Sequence, residues 1–123
     1  MTGTMAKQNF PAHFRLRLQA DFDRVYGRKQ SASDGVLLVF GCENGLPHPR
    51  LGLSVSRKVG GAVVRNRWKR LLREAFRLCR EHLPAGVDFI AIPRAAEPEL
   101  NLLADSLVDN ARRIDRKLRR GRR

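Results

Sequence analysis

Between Arg57 and Arg80 the chain places nine basic side chains, Arg57, Lys58, Arg65, Arg67, Lys69, Arg70, Arg73, Arg77 and Arg80, against a single acid, Glu74. Seven of the nine are arginine. A guanidinium can fork two hydrogen bonds onto one phosphate and stack on a base, whereas a lysine acts as a point charge. Residues 112–123 hold eight more basic side chains, from Arg112 to Arg123, against Asp115 alone. The 123-residue chain carries 25 Lys+Arg and 12 Asp+Glu, a formal charge of +13. The whole excess therefore sits in two elements, and the rest of the chain is slightly acidic. Charge gathered in this way makes a directed surface for a polyanion, and nucleic acid is the leading partner. A membrane surface also attracts basic helices, but an interfacial helix needs its apolar face free, and here that face is needed for a core.

Other chemistries find fewer residues. A self-sufficient metal-dependent nuclease needs converging carboxylates, and the close acidic pair Asp21 and Asp23 lies on adjacent faces of a helix rather than on one. His13, His48 and His82 lie in separate segments, without the spacing of a helical metal site. Cys42 and Cys79 are far apart and read as buried thiols, with no disulfide framework or zinc site. No catalytic residue and no metal ligand is expected on the protein. No apolar run is long enough to cross a bilayer and no signal peptide is evident, so the expected location is the cytoplasm.

The elements that must carry the basic groups follow from periodicity. Leu18, Phe22, Val25 and Tyr26 recur at helical spacing from Gln19 onward, with Gly27 as the C′ residue. Residues 28–35 read as a loop. Val36–Phe40 reads as a strand apolar on both faces and therefore covered on both. Leu51–Ser56 alternates, with Leu51, Leu53 and Val55 facing a core and Gly52, Ser54 and Ser56 making a small, polar face. A basic loop with Gly60 and Gly61 leads into a long helix over about 62–82. Its apolar stripe is Val64, Trp68, Leu71, Leu72, Ala75, Phe76, Cys79 and Leu83, with Trp68 and Phe76 as packing residues. Arg65, Lys69, Arg73 and Arg77 form an i, i+4 ladder outside that stripe. Val87–Ile92 is a further strand, and Pro98 opens a final helix whose last turns carry the second basic cluster. The expected organisation is a flexible arm over 1–13, one α/β domain over 14–118 and a basic tail over 119–123.

A strand with a small-residue face, a basic glycine loop and a helix whose first turns hold Arg65, Asn66, Arg67, Lys69 and Arg70 make a phosphate-binding corner, because free N–H groups at a helix N-terminus add to the positive field. This stretch, from Ser54 to Phe76, resembles the Arg-Asn-Arg signature of the bacterial ribonuclease P protein component. The likeness covers about residues 14–95 and includes Asp21-Phe22 on the first helix, Gly52–Ser56 and a Gly-Val-Asp strand at Gly86–Asp88. One departure is Gly61, where the family usually has asparagine.

The resemblance implies an α+β fold, an α/β sandwich with a mixed four-stranded sheet in the order α-β-β-β-α-β-α and a left-handed βαβ crossover, where general rules favour the right-handed form. It implies a protein cofactor for a catalytic RNA that removes 5′ leaders from precursor tRNA, one protein per RNA subunit, with Mg²⁺ required by the holoenzyme and no cofactor held by protein side chains. Arg57, Lys58, Arg65, Asn66, Arg67, Lys69, Arg70 and Arg73 would face the ribonuclease P RNA. A central cleft with Phe22, Tyr26, Phe40, Ser54 and Ser56 would take the leader. Stacking on aromatic faces tolerates any base, which suits varied leaders. The competing reading is a structural RNA-binding protein of ribosomal type, equally compatible with the composition and separated from the first by the motif.

Overall fold

The computed structural model describes residues 11–121. A helix α1 (Gln19–Arg28) is followed by three strands, β1 (Ser31–Ser33), β2 (Leu37–Glu43) and β3 (Arg50–Leu53). Helix α2 (Ala62–Cys79) then leads to β4 (Val87–Pro93) and to α3 (Leu100–Gly121). The element order that the family resemblance implied is the order observed. Short 3-10 turns at Ala12–Phe14, Arg57–Val59 and Arg80–His82 join these elements.

The sheet has the order β1-β2-β4-β3, antiparallel except for the parallel pair β3 and β4, which α2 connects. Its register sorts the side chains into two faces. Leu37, Val39, Leu51, Phe89 and Ala91 are buried against α2 and α3, together with Trp68, Leu72, Phe76, Leu103, Leu107, Ile114 and Leu118. Gly41 belongs to this face because a Cβ there would lie 2.6 Å from Ile114 Cγ2. The opposite face carries three rows across the strands: Cys42, Asp88 and Arg50; Phe40, Ile90 and Gly52; then Leu38 and Ile92, continued by Ser54. Helix α1 lies over the first two rows, where Leu16, Val25, Cys42 and Ile90 form a second, smaller core.

Several local expectations change. Residues 28–35 hold β1 as well as a turn, and α1 ends at Lys29, in the left-handed conformation with φ 59°, rather than at Gly27. Leu18 caps α1 and is exposed, because the chain enters the helix there and its side chain cannot reach the core. β2 is sealed on one face only: Leu38 and Phe40 are half-buried. Val64 leaves the expected stripe and is exposed, packing back on Gly60. Helix α3 persists to Gly121, so the tail expected from residue 119 is helical that far, and Arg122 and Arg123 lie outside the described residues. Of the expected arm, residues 1–10 lie outside them too, while the His13 ring packs on Phe14 at 4.2 Å. Cys42 and Cys79 are free and buried, and burial pushes the Cys79 thiol up to about 11.

Candidate nucleic-acid interface

The basic face of α2 is built by the helix period. Trp68, Leu72, Phe76 and Cys79 face the core, which turns Asn66, Arg67, Arg70 and Arg73 to solvent and leaves Arg65 and Lys69 half-buried at the margin. Arg65 Nε donates to the Gly60 carbonyl at 3.2 Å, which fastens the glycine loop to the first turn. Arg67 pairs with Glu97 at 3.6 Å across two exposed side chains, a contact of little energy. Lys69 and Arg73 line a recess of 200 Å³ with Arg15, Arg17, Leu16, Leu51 and Leu53. Although Arg73 reaches solvent, partial loss of hydration in the recess, then the like charge of Arg15, holds its guanidinium below its ordinary value. Like charges gathered at one recess mark a surface made for a polyanion. Periodicity identified Lys69 and Arg73; Arg15 and Arg17 join them only because Leu16 N–H donates to the Leu51 carbonyl and lays residues 15–17 beside β3.

On the other face of the sheet, the three aromatic residues come together. Tyr26 and Phe40 meet edge to face with ring centres 5.0 Å apart, and Phe22 lies 6.5 Å from Tyr26. All three are half-buried, packed at the rim of the smaller core. Gly52 is what lets Phe22 sit there: a Cβ at Gly52 would lie 2.8 Å from Phe22 Cζ and 2.9 Å from Leu16 Cβ. The small-residue face of β3 is therefore a seat for a ring as well as an open surface.

Beyond α1 the same face opens into a groove of 440 Å³ lined by Ser54, Ser56, Lys58, Val59, Ile92, Pro93, Arg94, Ala95 and Ala96. Ser54 and Ser56 line this groove while Phe22, Tyr26 and Phe40 do not, and Lys58 joins the two serines there instead of extending the α2 face. Arg57 stands exposed on the adjoining turn. Ile92 and Arg94 were missed from the sequence. Ile92 belongs to a strand that reads as core throughout, and Arg94 enters only because its N–H donates to the Val36 carbonyl.

A polar knot fixes α1 over the sheet. The fully buried Asp88 carboxylate accepts from Arg50 Nε and NH2 at 2.8 Å, from Asn44 Nδ2 at 2.8 Å and from Arg24. Arg24 also donates to the Glu43 carbonyl at 2.8 Å. Burial alone would raise the Asp88 carboxyl, but the hydrogen bonds from Arg50, Asn44 and Arg24 outweigh it and hold the group below its ordinary range. Phe22 and Tyr26 flank Arg24 on α1, so this knot sets the position of both rings.

Fold and surface together define a small basic α+β protein that presents an arginine-faced helix, a half-buried aromatic cluster and a basic-rimmed groove. Residues 10–115 match the Ribonuclease P family profile. The ribonuclease P protein component of Caldanaerobacter subterraneus subsp. tengcongensis is 39% identical over 95 residues, covering 76% of this chain and 82% of that protein. That of Alkaliphilus oremlandii is 42% identical over 80 residues, covering 65% of this chain and 70% of that one. Among solved structures, the Staphylococcus aureus RNase P protein superposes with a TM-score of 0.70 at 35% identity, covering 83% of this chain and 94% of that one. The Thermotoga maritima RNase P protein gives 0.71 at 31% identity, covering 83% and 96%. The chain belongs to the ribonuclease P protein family, the RNA-binding protein component of a ribonucleoprotein enzyme of tRNA processing.

Proposed function

We propose that the two surfaces divide the work of the holoenzyme. The α2 face, with Arg65, Asn66, Arg67, Lys69, Arg70 and Arg73 and with Arg57 on the adjoining turn, docks on the backbone of the ribonuclease P RNA, one protein per RNA subunit. The rings of Phe22, Tyr26 and Phe40, with the adjoining groove of Ser54, Ser56 and Lys58, hold the single-stranded 5′ leader of precursor tRNA. The observation that carries this reading is the aromatic cluster left half-open between basic flanks, because rings held at the rim of a core can still offer their faces to bases. The RNA performs the cleavage. The protein screens phosphate repulsion and adds contacts to the leader, which tightens substrate binding and lowers the Mg²⁺ demand of the assembled enzyme in the cytoplasm.

In this reading the protein's part is binding and orientation. The test is cleavage of a precursor tRNA at low Mg²⁺ by the protein mixed with ribonuclease P RNA, with each component alone as control. Stimulation only in the mixture, with tighter binding of precursor than of mature tRNA, supports the reading. Tight RNA binding without stimulation would instead support the structural, ribosomal-type role. Meeting six to eight phosphates also requires RNA affinity to fall steeply with salt, by a log–log slope several units negative.

A further inference from the structure

The second basic cluster, on α3, has no part in the surfaces above, and its position relative to the groove is informative. β1 is an edge strand, and its residues continue the groove rows: Ser31 lies opposite Phe40, and Ser33 lies opposite Leu38, itself paired with Ile92. The Ser31 and Ser33 carbonyls accept from Lys117 Nζ and from Arg113 NH2, the latter at 2.7 Å. Two cations of α3 thus stand at the sheet edge where the aromatic surface ends. One turn along the helix, Arg116 and Arg120 are exposed and make no hydrogen bond or ion pair among the described residues. The two lie four residues apart, about 6 Å along the helix axis, a spacing of the order that separates successive phosphates on an extended strand. Both are arginine, whose forked donors fit phosphate.

This pole is separate from the α2 face. The exposed acids Glu97, Glu99, Asp105 and Asp109 lie at the start of α3 and on its N-terminal half. Arg67 pairs with Glu97, which places the Arg65-Asn66-Arg67 end of α2 beside the start of α3. At the other end, a Cβ on Gly121 would lie 3.0 Å from Arg28 NH2, which places the last turn of α3 against the end of α1.

We propose that Arg113, Arg116, Lys117 and Arg120 form a phosphate rail at the β1 edge that takes the backbone of the precursor leader after it has crossed the aromatic groove. The inference rests on the leader-groove reading. A single strand binds best where stacking platforms adjoin a track of positive charge, and α3 supplies that track at one end of the groove as Lys58 and Arg94 do at the other.

The test uses the reconstituted holoenzyme and three substrates: a precursor with a leader short enough to end inside the groove, one with a leader long enough to pass β1, and mature tRNA. The variant is the double substitution Arg116→Gln and Arg120→Gln, since both side chains are exposed and Lys117 and Arg113 also satisfy β1 carbonyls. The expected result is roughly a three- to tenfold loss of affinity for the long-leader precursor only, with its log–log salt slope shallower by about 0.7 per lost contact. Unchanged affinity for the long leader overturns the rail. An equal loss for all three substrates also overturns it, assigning these arginines to the RNA subunit or the tRNA body. If the unsubstituted holoenzyme itself binds precursor no better than mature tRNA, the groove reading fails and the rail fails with it. Leader-dependent binding that the variant retains in full removes the rail alone.

Discussion

The two faces of the four-stranded sheet differ in what they do with aromatic residues. Against α2 and α3, Trp68, Phe76 and Phe89 are sealed. Under α1, Phe22, Tyr26 and Phe40 are held at the rim of a small core of four buried apolar residues, with a salt-bridged knot beside them and an open groove beyond. The first face has completed its burial and carries the stability of the domain. The second is left unfinished, and that incompleteness is what makes it able to bind. A fold this small can expose stacking surface on one side only because the other side is packed by two helices.

The comparison can be broken most sharply on the sealed side. Phe89→Ala should cost about 3–5 kcal/mol of stability in a denaturant titration, while leader affinity per folded molecule stays the same. A selective loss of leader binding would show that the two faces are not independent. Gly52→Ala comes next, because its Cβ must displace Phe22 or Leu16. About 1–3 kcal/mol of destabilisation is expected, and here precursor affinity should fall too, measured against mature tRNA in the holoenzyme.

Phe22→Ala should cost little beyond its partial burial but weaken precursor binding by about 1–3 kcal/mol, the worth of one stacked base. Equal losses for precursor and mature tRNA would sink the groove assignment. The smallest effect comes from lowering the pH, which acts on the Asp88 carboxyl only in acid. A carboxyl whose folded value lies below its unfolded value adds stability above the latter and loses it as pH falls towards the former. Thermal melts should therefore be flat with respect to Asp88 down to about pH 4 and decline below it, and Asp88→Asn should remove that part of the acid sensitivity.

Much of this was readable in the residues. The stripe from Trp68 to Cys79 and the basic positions beside it give α2 with its two faces, and the alternation of Leu51 to Ser56 gives β3 with its small-residue side. Strand β1 was not readable: Ser31–Ser33 has no apolar pattern and is a strand only because its backbone pairs with Phe40, Val39 and Leu38. Nor was the knot at Asp88, whose partners Arg24, Asn44 and Arg50 come from three other parts of the chain. Arg15 and Arg94 reach the two recesses through backbone hydrogen bonds to distant residues, which leave no mark in local composition.

The sequence by itself determined the helices, the strands with a hydrophobic period, the two basic clusters and the Arg-Asn-Arg corner, because each depends on side chains within a few turns of one another. The tertiary structure alone decided which face of the sheet stayed open, that Phe40 meets Tyr26, that Lys58 lines the groove and that the α3 cations stand at the β1 edge. Those facts depend on strand order and register, and these are set by the packing of two helices on one side and one on the other.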